Sequence, residues 1–261
     1  MKYYTKEWYH LMQNLNYVTD MKSVPDQEYT EEDIRKFYEE DLAAHVETNT
    51  KFYAMVKKSF DLADIIQTFE DSYRIRCEKE LKRYPAWVQE SVDVRLAALG
   101  RLPESVYKRL EEEDKVNIAE FTRINNAARE DLDQQDVPDE ARYFGYWMSE
   151  ADVLALQQNG KDVQLYLRKG NWNDGVSPYI RVTFEDCRFV DLEEGTVLEV
   201  MEDENGDLTS GCKFLYDEIY KNEQGCEVHM MLKNGEELRY LTVGCGGFYF
   251  EDGIEEMELQ G

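Results

Sequence analysis

The sequence predicts an α+β fold: an N-terminal all-helical domain over residues 1–143, then a mostly antiparallel β domain over residues 144–261, either a curled sheet or a sandwich. Three observations carry this reading. Only Gly100 and Gly145, of 15 glycines, fall in the first 145 residues. Apolar residues recur there at the spacing of an amphipathic helix. Beyond that point apolar residues alternate, and Asn159-Gly160 and Asn234-Gly235 separate the alternating runs, which is the strongest short-range hairpin signal.

In the helical part, Thr5 caps a short helix with Trp8, Leu11, Met12 and Leu15 on one face, ending before Pro25. Thr30, followed by Glu31, Glu32 and Asp33, starts a second helix that runs to Lys58 with a break at 48–50. Asp61 caps a third, whose stripe of Leu62, Ile65, Ile66, Phe69, Tyr73 and Cys77 continues to Tyr84. A fourth spans Trp87 to Leu99 and stops at Gly100. Leu102-Pro103-Glu104 opens a fifth, and Ile118, Phe121, Ile124, Ala128 and Leu132 carry a sixth. Residues 136–139 read as the linker.

In the β part, strands are expected about the Asn159-Gly160 turn and near 179–185, 187–192, 196–202, 213–220, 226–232, 237–243, 248–251 and 255–259. A long loop carries Trp172. Residues 203–207 place oxygen ligands at alternate positions, as a calcium loop does. They lack its sixth-position glycine and closing glutamate, so they read as a tight turn.

Register can be argued around His229. Putting Leu215 and Ile219 on the face of Val228, Met230 and Leu232 sends Phe214, Tyr216, Glu218 and Tyr220 to the face of Glu227, His229 and Met231. Setting Glu218 opposite His229 avoids a like-charge pair with Glu227. An Asn234-Gly235 turn then sets His229 beside Tyr240. The expected outcome is a Glu218–His229–Tyr240 row in which the carboxylate raises the imidazole pKa.

The formal charge is −26. Basic and acidic residues number 21 and 32 through Glu150, then 9 and 24 beyond it, so the excess pervades both halves. Without a dominant Lys/Arg cluster, nucleic acid is not an expected partner; a basic protein is. No apolar run reaches membrane-spanning length, and a cytoplasmic location with no membrane association is the expectation. Five cysteines lacking Cys-x-x-Cys spacing read as reduced thiols, although Cys212, Cys226 and Cys245 can meet in a sheet. Glu7 with His10, and Asp41 with His45, have the spacing of metal-binding pairs on a helix, but the second Glu-x-x-His of a carboxylate-bridged bundle is missing. They read as surface polar pairs, Glu111 to Asp114 reads as a solvated charge run, and neither metal nor cofactor is expected.

The segments Met1-Lys2-Tyr3-Tyr4-Thr5-Lys6-Glu7-Trp8-Tyr9, Val94-Arg95-Leu96-Ala97-Ala98-Leu99-Gly100, and Phe214-Leu215-Tyr216-Asp217-Glu218-Ile219-Tyr220 with Glu227-Val228-His229 resemble an uncharacterised bacterial family of about this length, defined by a domain of unknown function. The resemblance covers most of the chain, implies a bacterial cytoplasmic protein and carries over no catalytic residue. The β half is also similar in style to domains of contact-toxin immunity proteins, acidic proteins that neutralise a toxin by covering it. The leading expectation is therefore a non-enzymatic, acidic, immunity-like binding module with Trp172, Glu218, His229 and Tyr240 as binding candidates. The alternative is a metal-dependent or acid–base hydrolase built on Glu7/His10/Asp41/His45 or on Glu218/His229.

Overall fold

The computed structural model describes residues 1–135, 137, 142, 144–170, 177–203 and 206–254. Trp172, the strand expected at 255–259 and all of the expected linker except Val137 lie outside the described residues. The fold is α+β, with helices dominating the N-terminal part and one open, curled antiparallel sheet the C-terminal part. Composition and compactness change at different places along the chain. One compact unit is Leu11–Phe121, and the other joins Met1–His10 to Thr122–Gly261. Among the described residues, no helix is long and apolar enough to cross a membrane.

The chain opens with α1 (Lys6–Gln13) and a short strand β1 (Lys22–Val24), then α2 (Glu31–Met55), α3 (Leu62–Lys79) and a 3-10 turn at Glu80–Arg83. Thr30, the expected start of α2, forms a capping box with Asp33, and Asp61 caps α3 by accepting from the Ala63 N–H. No break interrupts α2. The expected fourth helix is instead two short ones, α4 (Ala86–Gln89) and α5 (Val94–Ala98), because Asp93 starts a new helix by accepting from the Arg95 N–H at 2.8 Å. Strand β2 (Arg101–Pro103) pairs in parallel with β1, which periodicity did not signal. The expected fifth and sixth helices are one continuous α6 (Glu104–Asp133), a segment holding neither Gly nor Pro. Lys115 bonds Glu111 and Glu112 on its exposed face. Asp114 departs from the solvated run expected there: it is buried and accepts from the Val18 N–H.

The second unit holds α7 (Phe144–Met148), β3 (Asp152–Asn159), β4 (Asp162–Arg168), β5 (Tyr179–Glu185), β6 (Phe189–Leu192), β7 (Val200–Glu202), β8 (Leu208–Ser210), β9 (Cys212–Asn222), β10 (Gly225–Asn234), β11 (Glu237–Cys245) and β12 (Gly247–Asp252). Eight of these form one sheet in the order β12-β5-β4-β3-β9-β10-β11-β6, while β7 and β8 pair separately. A single register pair, Asp152 with Lys213, joins β3 to β9. The sheet curls about this narrow joint, so Leu165, Val182 and Phe184 of one half share a core with Phe214, Val228 and Leu241 of the other. Phe144 and Met148 of α7 complete that core. Asp203 and Asp207, from the calcium-like segment, both bind the Arg168 guanidinium, at 3.3 and 2.7 Å.

Two local details set the register. The β10–β11 hairpin pairs Asn234 with Glu237 and leaves Gly235-Glu236 as its loop. Only Gly235 of those two has positive φ, +63°, the pattern of a turn with glycine first rather than of an Asn-Gly turn. The expected loop is thus displaced by one residue and the pairing by two, which keeps the faces but changes the partners. The second detail is a bulge on β9: Met231 pairs with Tyr216 but Leu232 with Phe214, leaving Leu215 unpaired. Phe214 thereby enters the main core, and Leu215 joins the opposite face with Met231 and Leu238, correcting the expected assignment of both.

Candidate functional site

On the outer face of the β9-β10-β11-β6 half-sheet, His229 is directly opposite Glu218, as the charge argument requires. On its other side stands Thr242, and Tyr240 is opposite Met231, so the expected third member of the row was misplaced by the turn shift. Thr242 in turn pairs with Asp191 of β6. The observed row is Glu218–His229–Thr242–Asp191, crossing four strands.

Its β9 end is covered. Backbone N–H groups of Lys2, Tyr3 and Tyr4 donate to the Glu218 carboxylate at 2.5, 2.7 and 2.5 Å, and the Tyr220 hydroxyl donates to it as well. Burial, then that bond to Glu218, pushes the Tyr220 phenol up. Beside this anchor, Tyr4, Trp8 and Tyr216 form an aromatic cluster, with Trp8 at 4.7 Å from each of the other two ring centroids. These contacts bind the first residues of the chain to the sheet. They also occupy Glu218, whose two oxygens already accept four hydrogen bonds.

His229 lies between the two ends. Its ring stands edge-on to Tyr220 with centroids 5.1 Å apart, and its nitrogens lie 3.4 Å from Glu227 Oε2 and 3.5 Å from Thr242 Oγ1. The expected rise in its pKa is reversed. Burial is the largest influence and lowers it, and the charges of Glu227 and Glu218 only partly oppose this. An opposed carboxylate is visible in the sequence; the desolvation of the ring is not.

The β6 end is open. Lys6, Glu7, Asp191, Glu193, Tyr240 and Thr242 line a groove of about 490 Å³. Glu193 is engaged: it binds Lys6 Nζ at 2.8 Å, the Tyr240 N–H at 3.0 Å and Arg239 at 3.4 Å. Burial opposes ionisation there, but Lys6, the Tyr240 N–H and Arg239 outweigh it and hold Glu193 below its ordinary value. The Tyr240 hydroxyl accepts from the Lys6 N–H at 2.9 Å, and its ring lies under Lys6 Nζ at 4.8 Å. Glu7 and Asp191 are exposed, and neither forms an ion pair among the described residues. Glu7 is held below its ordinary value first by its own backbone N–H and then by Thr5. Asp191 escaped sequence reasoning because β6 is a four-residue edge strand; the alternation Phe189, Asp191 was the only signal for its face.

The other polar pairs are occupied within their own units. Asp41 takes a two-pronged bond from Arg101, which is 4% exposed. His45 contacts Asn49 at 3.2 Å and lines a separate cleft of about 570 Å³ with Tyr53, Phe60 and Asp61. His10 stacks edge-on to Tyr9 at 6.3 Å. Among the described residues, no three His, Cys, Asp or Glu side chains assemble in a metal-holding group. On the core face behind Glu218, Asp217 is half-buried against α7 and its carboxyl accepts from the Gly145 N–H, where a Cβ would sit 1.9 Å from Asp217 Oδ1. Burial, then the charge of Glu218, pushes Asp217 up to about 7. No family model, curated protein or solved structure matches this chain.

Proposed function

We propose that the protein is a non-enzymatic, acidic binding module, immunity-like in mode, whose open groove receives lysine or arginine side chains of a basic protein partner in a bacterial cytoplasm. The observation that carries this reading is that Glu7 and Asp191, exposed beside the Tyr240 ring, form no ion pair among the described residues. Two carboxylates without an internal cation, beside a ring that already carries the Lys6 ammonium, match the charge and hydrocarbon stem of a further cation. Glu218, by contrast, has its oxygens committed to the chain's own donors, and that favours binding over acid–base chemistry in this row.

An NMR titration of the full chain with an oligo-lysine peptide tests the reading. The amides of Asp191, Tyr240 and Thr242 shift first. Glu7→Gln with Asp191→Asn weakens binding about 5-fold or more, the scale of one lost exposed charge interaction. Glu111→Gln with Glu112→Gln removes the same charge from α6 and leaves binding within about 2-fold on that scale. Equal weakening by both pairs means that net charge alone attracts the peptide and contradicts the proposal.

A further inference from the structure

The strand ladder brings together two of the three cysteines expected to share a sheet. Cys226 and Cys245 are direct register partners of β10 and β11, with their sulfurs 3.5 Å apart and both side chains buried on the core face. Cys212 lies at the opposite end of the ladder, in the strand position paired with Asn234. Directly opposed antiparallel positions place Cα atoms about 4.5 to 5.5 Å apart, within the roughly 4.4 to 6.8 Å that a disulfide spans. The sulfurs need only close to about 2 Å by side-chain rotation.

The surroundings favour a thiolate on one of the two. Arg188 extends over the ends of both strands and donates to the Cys245 carbonyl at 3.0 Å, to the Cys226 carbonyl at 3.2 Å and to the Gln224 carbonyl. The Cys226 thiol is shifted down, first by its hydrogen bond with Cys245 and, against the effect of burial, by the Arg188 charge. Cys245 is shifted up by the same pairing and by burial. Cys226 is also the one reached by solvent, at 8% exposure against 0% for Cys245. Two sulfurs in contact, one of them reached by solvent and both beside a guanidinium, have the arrangement of an attacking and a resolving thiol.

We propose that Cys226 and Cys245 form a reversible oxidation site at which hydrogen peroxide converts two thiols into a disulfide across β10 and β11. In the first step Cys226 sulfur attacks one peroxide oxygen. The S–O bond forms, the O–O bond breaks, and the departing hydroxide takes up the proton released by the Cys226 thiol to become water. Cys245 sulfur then attacks the Cys226 sulfenic acid: the S–S bond forms, the S–O bond breaks, and hydroxide leaves with the Cys245 proton as a second water. The two thiols lose two electrons and two protons, and the peroxide accepts both. The disulfide so formed fastens the strand bearing His229 to the strand bearing Thr242 and Tyr240.

The test treats the reduced full chain with hydrogen peroxide, alkylates the remaining thiols after unfolding, and maps the peptides by mass. The expected result is a Cys226–Cys245 linked peptide that forms at least about 10-fold faster than Cys77 or Cys212 is modified, is cleaved by dithiothreitol, and persists in Cys187→Ser. Arg188→Gln slows its formation. Wild-type mapping needs no cysteine variant to fold. Five thiols still alkylated after peroxide, a sulfinic acid at Cys226 without a disulfide, or a linked peptide containing Cys187 in place of Cys226 overturns the proposal.

Discussion

At the β9 end of the sheet face, Glu218 is 7% exposed and accepts hydrogen bonds from three successive backbone N–H groups and a tyrosine hydroxyl. At the β6 end of the same row, Asp191 is exposed and pairs with no cation among the described residues. Residue type is nearly the same; the covering chain makes the difference. Where Met1–His10 crosses the face, a carboxylate is structural. Beyond the cover of Lys2–Tyr4, Lys6 and Glu7 of the same segment line the groove; Glu193 there is engaged by Lys6 and Arg239, while Asp191 has no cation among the described residues.

The largest consequence concerns stability. Glu218→Gln keeps the shape but sets an NH2 donor among four donors, so it costs on the order of 3 kcal/mol, the scale of charge-assisted bonds lost from a buried acceptor. Urea unfolding measures it. A cost near zero would dissolve the contrast with Asp191, whose change to Asn leaves the urea midpoint unaltered.

The pH dependence of stability sharpens the comparison on the core side. With a folded pKa of about 7 against an ordinary 3.8, Asp217 holds a proton in the folded chain that the unfolded chain has released. Its stabilising effect is complete below the unfolded value and is lost as pH rises toward about 7. Asp217→Asn removes that loss, so the variant's urea midpoint, relative to wild type, increases from pH 5 to pH 8. A constant difference would show that Asp217 is ionised in the fold throughout.

His229 gives a smaller effect on the acid side. Its folded pKa is depressed, so between the folded and unfolded values the unfolded chain binds more protons, and stability falls as pH drops below the ordinary imidazole value. His229→Gln flattens that part of the profile. A direct NMR titration placing His229 above its ordinary value would restore the imidazolium expected from the sequence.

What the sequence revealed and what it hid follow physical range. Caps act within three residues, and Thr30 and Asp61 mark the starts of α2 and α3 correctly. Alternation located β5 at Tyr179–Glu185, and the repulsion between Glu218 and Glu227 chose the right side of β10. Asn234-Gly235 located its hairpin but not which residues form the loop, because Gly235 alone takes positive φ and the dipeptide serves either turn. The bulge at Leu215 was hidden because both Phe214 and Leu215 are apolar, and only the packing of two faces separates them. The pinning of Met1–His10 onto β9 spans more than 200 residues of sequence and left no local mark. Glu218 looked like a partner for His229 because its actual donors are backbone groups, which every sequence has.

Amide hydrogen exchange at Lys2, Tyr3 and Tyr4 tests the division of the row most directly. If Glu218 pins this segment, those three amides exchange slowly in the wild-type chain. In Glu218→Gln they exchange fast while the β10–β11 ladder amides stay protected. Fast exchange at all three in the wild type would mean that the β9 end is open too, that Glu218 is as available as Asp191, and that the row is not divided as described.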